Sequence, residues 1–390
     1  MRLHASICAL ALLTAQARAQ PAVEPATTAQ PAPAEADSAP LAASPPARLV
    51  VGQVGFFQPA AQLQFWAYGQ TTEVDGEQDL TAGFRLRRAE LRVKGEIVPQ
   101  LFAYNVMIDP SRALELDQRR LPVHATDPAD PSPGSVSVAQ PSGPVTILQD
   151  VILTFISHYA DVSFGQFKLP LGYEAYNSTA KLVLPEFALI TRHYSARRDI
   201  GIKVEKKLGD HFYYRADLLN GSGQNRLDGD DQKDGALRFE AYPFAGLTLG
   251  VAGYIGLNQR NSSATKDRVE ADLKLDYQQV LLQAEYIHGW DGATGDSDPE
   301  RLEGHGFYAA AGYTFAGKVQ PVARVGYLDP HVGREVATPT LASDRVWAYE
   351  LGANYFVQGH DLELQLAGGV FDYEHLRSVQ HGIFEVQVNF

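Results

Sequence analysis

FEVQVNF, residues 384–390, sets Phe384, Val386, Val388 and Phe390 on one face of an extended strand and Glu385, Gln387 and Asn389 on the other. A period-two pattern that runs into a terminal aromatic residue suits a strand with lipid on one side and polar contents on the other. The alternation recurs upstream. In 268–277, Val269, Ala271, Leu273, Leu275 and Tyr277 alternate with Arg268, Glu270, Asp272, Lys274 and Asp276. A soluble sandwich would alternate too, so the spacing between strands carries the decision.

Strands are expected near 62–70, 84–97, 101–109, 147–156, 161–169, 199–206, 212–220, 235–242, 247–257, 268–277, 280–288, 305–315, 319–327, 345–356, 361–373 and 382–390. Such lengths cross a bilayer at a tilt. Short turns at 99–100, 157–160, 207–211, 243–246, 278–279, 316–318 and 357–360 alternate with long polar links, among them 110–146, 170–198, 290–304 and 328–344. Short turns at one end and long loops at the other mark an outer-membrane barrel. The expected fold is all-β, a 16-stranded antiparallel transmembrane β-barrel. Near Arg87 and Arg88 the alternation changes phase, which predicts a bulge or a later strand start.

One face of these strands suits lipid: Leu237, Phe239 and Ala241; Phe307, Ala309, Ala311, Tyr313 and Phe315; Trp347, Tyr349, Leu351, Ala353 and Tyr355. The opposite face carries Arg88, Glu90, Arg92, Lys94 and Glu96, then Lys203 with Glu205, Arg215 with Asp217, and Arg238 with Glu240. Burying so many ions in a dry core costs several kcal/mol each. The expected lumen therefore holds water, with Arg88, Arg92, Lys94, Lys203, Arg215 and Arg238 on its wall.

Residues 1–19 combine Arg2, an apolar stretch at 7–13 and Ala17-Arg18-Ala19, the pattern of a cleaved export signal. The single cysteine, Cys8, falls within them, which excludes a disulfide framework in what remains. Residues 20–48 are mostly Pro and Ala and read as an extended periplasmic linker, with 49–390 as the barrel domain. Whether 49–57 forms a strand or a plug is open. No apolar run approaches the ~18 residues of a spanning helix. The formal charge is −13, and more negative once Arg2 and Arg18 leave, which argues against nucleic acid as a partner.

FRLRRAELRVKGEI at 84–97, LQDVILTF at 148–155, GQFKLPLGYE at 165–174 and ARRDIGIKV at 196–204 together resemble the phosphate-selective porin O and P family. The resemblance implies a trimeric diffusion channel for small hydrophilic solutes in a Gram-negative outer membrane, with a third outer loop folded inward. The loop count agrees: 170–198 is the third long link and holds an apolar stretch, 182–190, that needs protein to pack on. Its charges, Lys181, Arg192, Arg197 and Arg198 against Glu174, Glu186 and Asp199, give a slight basic excess. Lys168, Arg192 and Arg198 match basic positions of the family pattern. Lys168, Lys181, Arg192, Arg197, Arg198, Glu174 and Asp199 are thus the expected constriction and solute contacts. Expected partners are the bilayer and its lipopolysaccharide, two further copies of the chain, and the barrel-assembly machinery through Phe390. No cofactor or metal is expected.

Acids weaken the case for a phosphate filter: Asp150, Glu240, Glu270, Asp272, Glu285, Glu350 and Glu363 stand beside the basic wall residues. A general porin of mixed or weak charge preference follows, with a preference for anions such as phosphate as a separate hypothesis. GYTFAGK at 312–318 lacks the Ser or Thr and the helix of a phosphate-binding loop, and the acidic run 228–235 satisfies no calcium-loop register. No strand presents Ser beside His on one face, which weighs against a barrel enzyme. The alternative to a channel is a structural or adhesive barrel with a blocked lumen.

Overall fold

In the computed structural model, residues 46–390 form one unit, and the structure describes residues 49–51, 55–74, 77–113, 147–195, 198–229, 231–256, 266–292, 302–334 and 340–390. The expected export signal, the linker and Arg197 lie outside the described residues. The strands are β1 Leu49–Val51, β2 Gly55–Val74, β3 Glu77–Val98, β4 Phe102–Ile108, β5 Leu148–Phe155, β6 Asp161–Lys168, β7 Arg198–Leu208, β8 Phe212–Leu219 and β9 Asp234–Ala241. They continue with β10 Leu247–Ile255, β11 Lys266–Tyr277, β12 Val280–Asp291, β13 Leu302–Tyr313, β14 Val319–Asp329, β15 Val346–Gln358, β16 Leu362–Tyr373 and β17 Val379–Asn389.

From β2 onward each strand pairs antiparallel with the next, and β17 returns to β2, closing a barrel of 16 strands. Closure leaves no edge whose backbone groups would face lipid unpaired. The last residue completes the seam: the Phe390 amide donates to Ala61 O at 3.0 Å and the Ala61 amide to Phe390 O at 2.7 Å. β1 pairs with Gly55–Phe57 of β2, beyond the reach of β17, so the stretch 49–57 contributes strands. β2 and β3 run well past their expected ends, because Thr- and Gln-rich segments around 70–82 pair without an apolar alternation to announce them.

The phase change in β3 is a bulge. Gln64 pairs with Arg88 and Phe65 with Leu86, so Arg87 stands unopposed and two consecutive arginines both point to the polar face. The short turns also fit the strand twist. Gln278 takes a φ of 56°, which lets the two-residue link between Tyr277 and Val280 follow right-handed strands.

Alternation sorts the faces as expected. Leu237, Phe239 and Leu351 are exposed outward, while their neighbours Arg238 and Glu350 are buried inward. The inward side is drier than the charge pattern implies. Three apolar clusters form there around residues outside the strands: Leu169 and Leu171 with Leu219, Ala236 and Ala252; Val183 and Leu184 with Leu281, Ala310, Val322 and Ala367; and Ala188, Ile190 and Tyr194 with Ile287, Tyr308, Leu328 and Val346. Each apolar cluster member in the segment after β6 thus has wall residues to pack on, which satisfies the need of the 182–190 stretch.

Candidate functional site

The polar face of the barrel and the segment between β6 and β7 meet over most of the wall. The segment holds two short helices, Tyr173–Tyr176 and Leu189–Tyr194, and a 3-10 turn at Thr179–Lys181. Its backbone is anchored by wall side chains. The Gly172 amide donates to Glu270 of β11 at 2.6 Å and the Tyr173 amide to Glu285 of β12 at 2.8 Å. Gln387 of β17 donates to Ala180 O, Gln365 of β16 to Leu182 O and Asn354 of β15 to Val183 O, at 3.0, 3.1 and 3.0 Å. Thr179 donates to Gln62 of β2 at 3.1 Å, and the Tyr176 hydroxyl meets that of Tyr213 in β8 at 2.8 Å.

Glycines on the wall receive the bulky side chains of the segment. A Cβ on Gly352 would lie 2.5 Å from Leu184 Cδ2, one on Gly306 would lie 3.2 Å from Ile190 Cδ1, and one on Gly304 would lie 2.3 Å from Tyr194 Oη. Here glycine is required by close approach, since any side chain would occupy the seat. This set of small inward residues was a legible signal that the sequence reading passed over: a bulky loop stretch opposite a wall of Gly and Ala.

Two arginines organise the ionic part. Arg238 is wholly buried and reaches Glu240 at 2.7 Å, Glu270 at 3.2 Å and Asp272 at 2.8 Å. Arg324 forks onto Glu350 at 2.7 and 2.9 Å, contacts Glu174 at 3.3 Å and donates to Glu186 O at 3.0 Å. Glu174 in turn accepts the Ala188 amide at 2.7 Å, and burial holds its carboxyl above the ordinary range. Arg324 was not among the expected site residues; its place as the single cation of β14 was the available signal.

The expected contacts divide into engaged and open groups. Lys168 donates to Asn177 O at 2.6 Å, Arg198 pairs with Asp150 at 2.8 Å, and Asp199 accepts the Ile200 and Gly223 amides at 2.7 and 3.2 Å. Among the wall residues, Arg88 bonds Gln64 at 2.5 Å, Arg215 pairs with Asp217 at 2.7 Å, and Lys203 pairs closely with Glu205. Lys181 and Arg192 are exposed at opposite ends of the apolar stretch. Lys181 and Lys274 line a cavity of about 280 Å³ bounded by the short turns. On β3, Lys94 is exposed, and Arg92 keeps 38 % of its side chain accessible beside Glu90 at 3.9 Å.

Glu186 clamps the segment to the bulge through Arg87 at 3.1 Å. Burial pushes its carboxyl up, but Arg87, Arg88 and Arg192 outweigh burial and hold it at about 2. A carboxyl held below its ordinary value stabilises the docked state above that value and ceases to do so as pH falls through the lowered one. The clamp should therefore weaken between pH 4.5 and about 2, and not near neutrality. Conductance recorded against pH checks this: the wild type should show a step in that window that Glu186→Gln lacks, a comparison that separates Glu186 from Glu174.

A profile of the phosphate-selective porin O and P family matches residues 61–266, more than half of the chain. No curated protein matches it. Similar solved structures include outer-membrane-expressed OmpT of Vibrio cholerae, 13% identical with a TM-score of 0.59 over 87% of this chain and 99% of that one. The anion-selective porin from Comamonas acidovorans is 8% identical with a TM-score of 0.58, covering 86% of this chain and 100% of that one. The outer membrane channel DcaP of Acinetobacter baumannii is 10% identical with a TM-score of 0.58, covering 86% and 98%. At such identities the likeness is one of fold. With the family profile laid over β2 to the start of β11, and a closed barrel whose polar residues face inward, the chain belongs to the phosphate-selective porin O and P family of outer-membrane channels.

Proposed function

We propose that the protein is a passive diffusion channel for small hydrophilic solutes with a weak preference for anions, and that the segment between β6 and β7 lies in the bore and narrows it. The observation that carries this reading is the uneven cover of the polar face. Contacts of the segment run to β2, β3, β6 and β8–β17, whereas the face formed by β4, β5, β7 and the near half of β3 keeps Lys94, Arg92 and part of Glu205 accessible. A hydrated path along that face passes the exposed ammonium of Lys94 and the accessible part of Arg92, which Glu90 approaches only to 3.9 Å, while Glu205 is held by Lys203. Arginine and lysine there attract anions, and the water-filled surroundings keep the attraction weak enough for release.

Phosphate selectivity is not supported by this wall, since the carboxylates around Arg238 and Arg324 neutralise the most basic positions. Lys181 and Arg192 are the proposed solute contacts at the two mouths, with Lys94 and Arg92 between them. A homotrimer in the outer membrane, seated in lipopolysaccharide and inserted by the barrel-assembly machinery through its last strand, completes the proposal; a trimer form of OmpT from Vibrio cholerae supports the oligomer.

Reversal potentials across a planar bilayer in a KCl gradient test it. The wild type should favour chloride modestly, and Lys94→Gln with Arg92→Gln should move the potential towards zero, with Arg192→Gln and Arg198→Gln measured in parallel. Clear cation preference in the wild type would sink the anion reading. A folded barrel that never conducts would leave the blocked-lumen alternative, which the close packing of Leu184, Ile190 and Tyr194 favours.

A further inference from the structure

At the long-loop end, the helix Leu189–Tyr194, the rims of β14 and β16 and the loop before β17 enclose a cavity of about 780 Å³. That is ample for a small organic molecule. Leu189, Leu328, Phe371 and Tyr373 give it apolar walls, and Arg192 and Arg377 give it charge; among the described residues no Asp or Glu lines it. Arg192 is exposed, with its guanidinium carbon 5.7 Å from the centroid of the Phe371 ring. Among the described residues no hydrogen bond or ion pair engages it, although its charge also acts on Glu186. Two nearby acids among the described residues are engaged away from it: Asp344 accepts the His375 amide at 2.9 Å and Asp372 accepts from Ser378 at 2.6 Å.

This lining suits a particular chemistry. Inorganic phosphate could use the guanidinium groups, but it would gain nothing from rings and leucines and would lose its hydration against them. A flat apolar anion uses both halves, its carboxylate on Arg192 and its ring against Phe371 and Tyr373. We propose that this outer vestibule is a binding site for aromatic carboxylates, which are thereby concentrated before the narrow part of the bore. The inference rests on the channel reading and deepens it by naming a solute class.

Isothermal titration of sodium benzoate onto the folded full chain in detergent tests the site, with sodium acetate and inorganic phosphate for comparison. Benzoate should bind saturably and at least about tenfold more tightly than either, as expected when a charged contact and an apolar one act together. Arg192→Gln should weaken it about tenfold and Phe371→Leu, which keeps the cavity filled, about threefold. Phosphate binding as tight as benzoate, or indifference to both substitutions, overturns the proposal. In a planar bilayer, benzoate added on the long-loop side should lower the KCl conductance. A protein that conducts KCl but binds no benzoate refutes the site alone; one that binds benzoate but never conducts refutes the channel and keeps the site.

Discussion

Replacing Leu184 and Ile190 together by glutamate should raise the single-channel conductance in KCl at least about twofold, because two carboxylates forced into dry seats cost several kcal/mol each and the segment will leave the wall. Both side chains are almost fully buried, Leu184 against Gly352 and the Leu281 cluster, Ile190 against Gly306 and the Tyr308 cluster. None of the strand pairing depends on them, so the barrel itself should persist. Folded protein is confirmed by its compact, heat-modifiable migration on gels, and conductance is then read in bilayers. Unchanged conductance in a folded barrel would mean that this segment does not set the width of the bore.

The second large effect concerns stability. Arg238→Met should destabilise the barrel by about 3–5 kcal/mol, since it strands Glu240, Glu270 and Asp272 without their shared cation in a buried site. Methionine fills a similar volume, which keeps the cavity term small. Arg238→Lys should recover only part of the loss, because one compact ammonium cannot fork onto three carboxylates. Urea unfolding in lipid vesicles, followed by tryptophan fluorescence, measures both variants. A change within about 0.5 kcal/mol for the methionine variant, the range of an ordinary surface site, would show that the acids find protons or other partners instead. The consequence for conduction is separate: removing this cation leaves three acids facing the segment and should move ion selectivity towards cations if the charge reaches the path.

The barrel was legible from the chain because lipid on one side and polar contents on the other impose period two on every crossing strand, and period two survives in a linear text. Sixteen strands, the approximate ends of those after β3, the phase change at Arg87 and the outward faces of Leu237, Trp347 and Phe384 all follow from that local rule. The last strand shows the limit of the same rule. Glu385, Gln387 and Asn389 announce a polar side but not their partners; the Glu385 carboxylate takes the Trp66 indole N–H and Gln387 takes Gln64 at 2.6 Å, more than three hundred residues away in sequence. Nor does alternation say which inward charges meet water. Arg88, Arg92 and Lys94 read alike in sequence, yet closure of the barrel and docking of the segment bury the first, half-cover the second and leave the third exposed. Strand identity is decided residue by residue against solvent and lipid, whereas pairing, dryness and the course of a bore depend on which distant surfaces the closed cylinder brings face to face, and that only the tertiary structure decides.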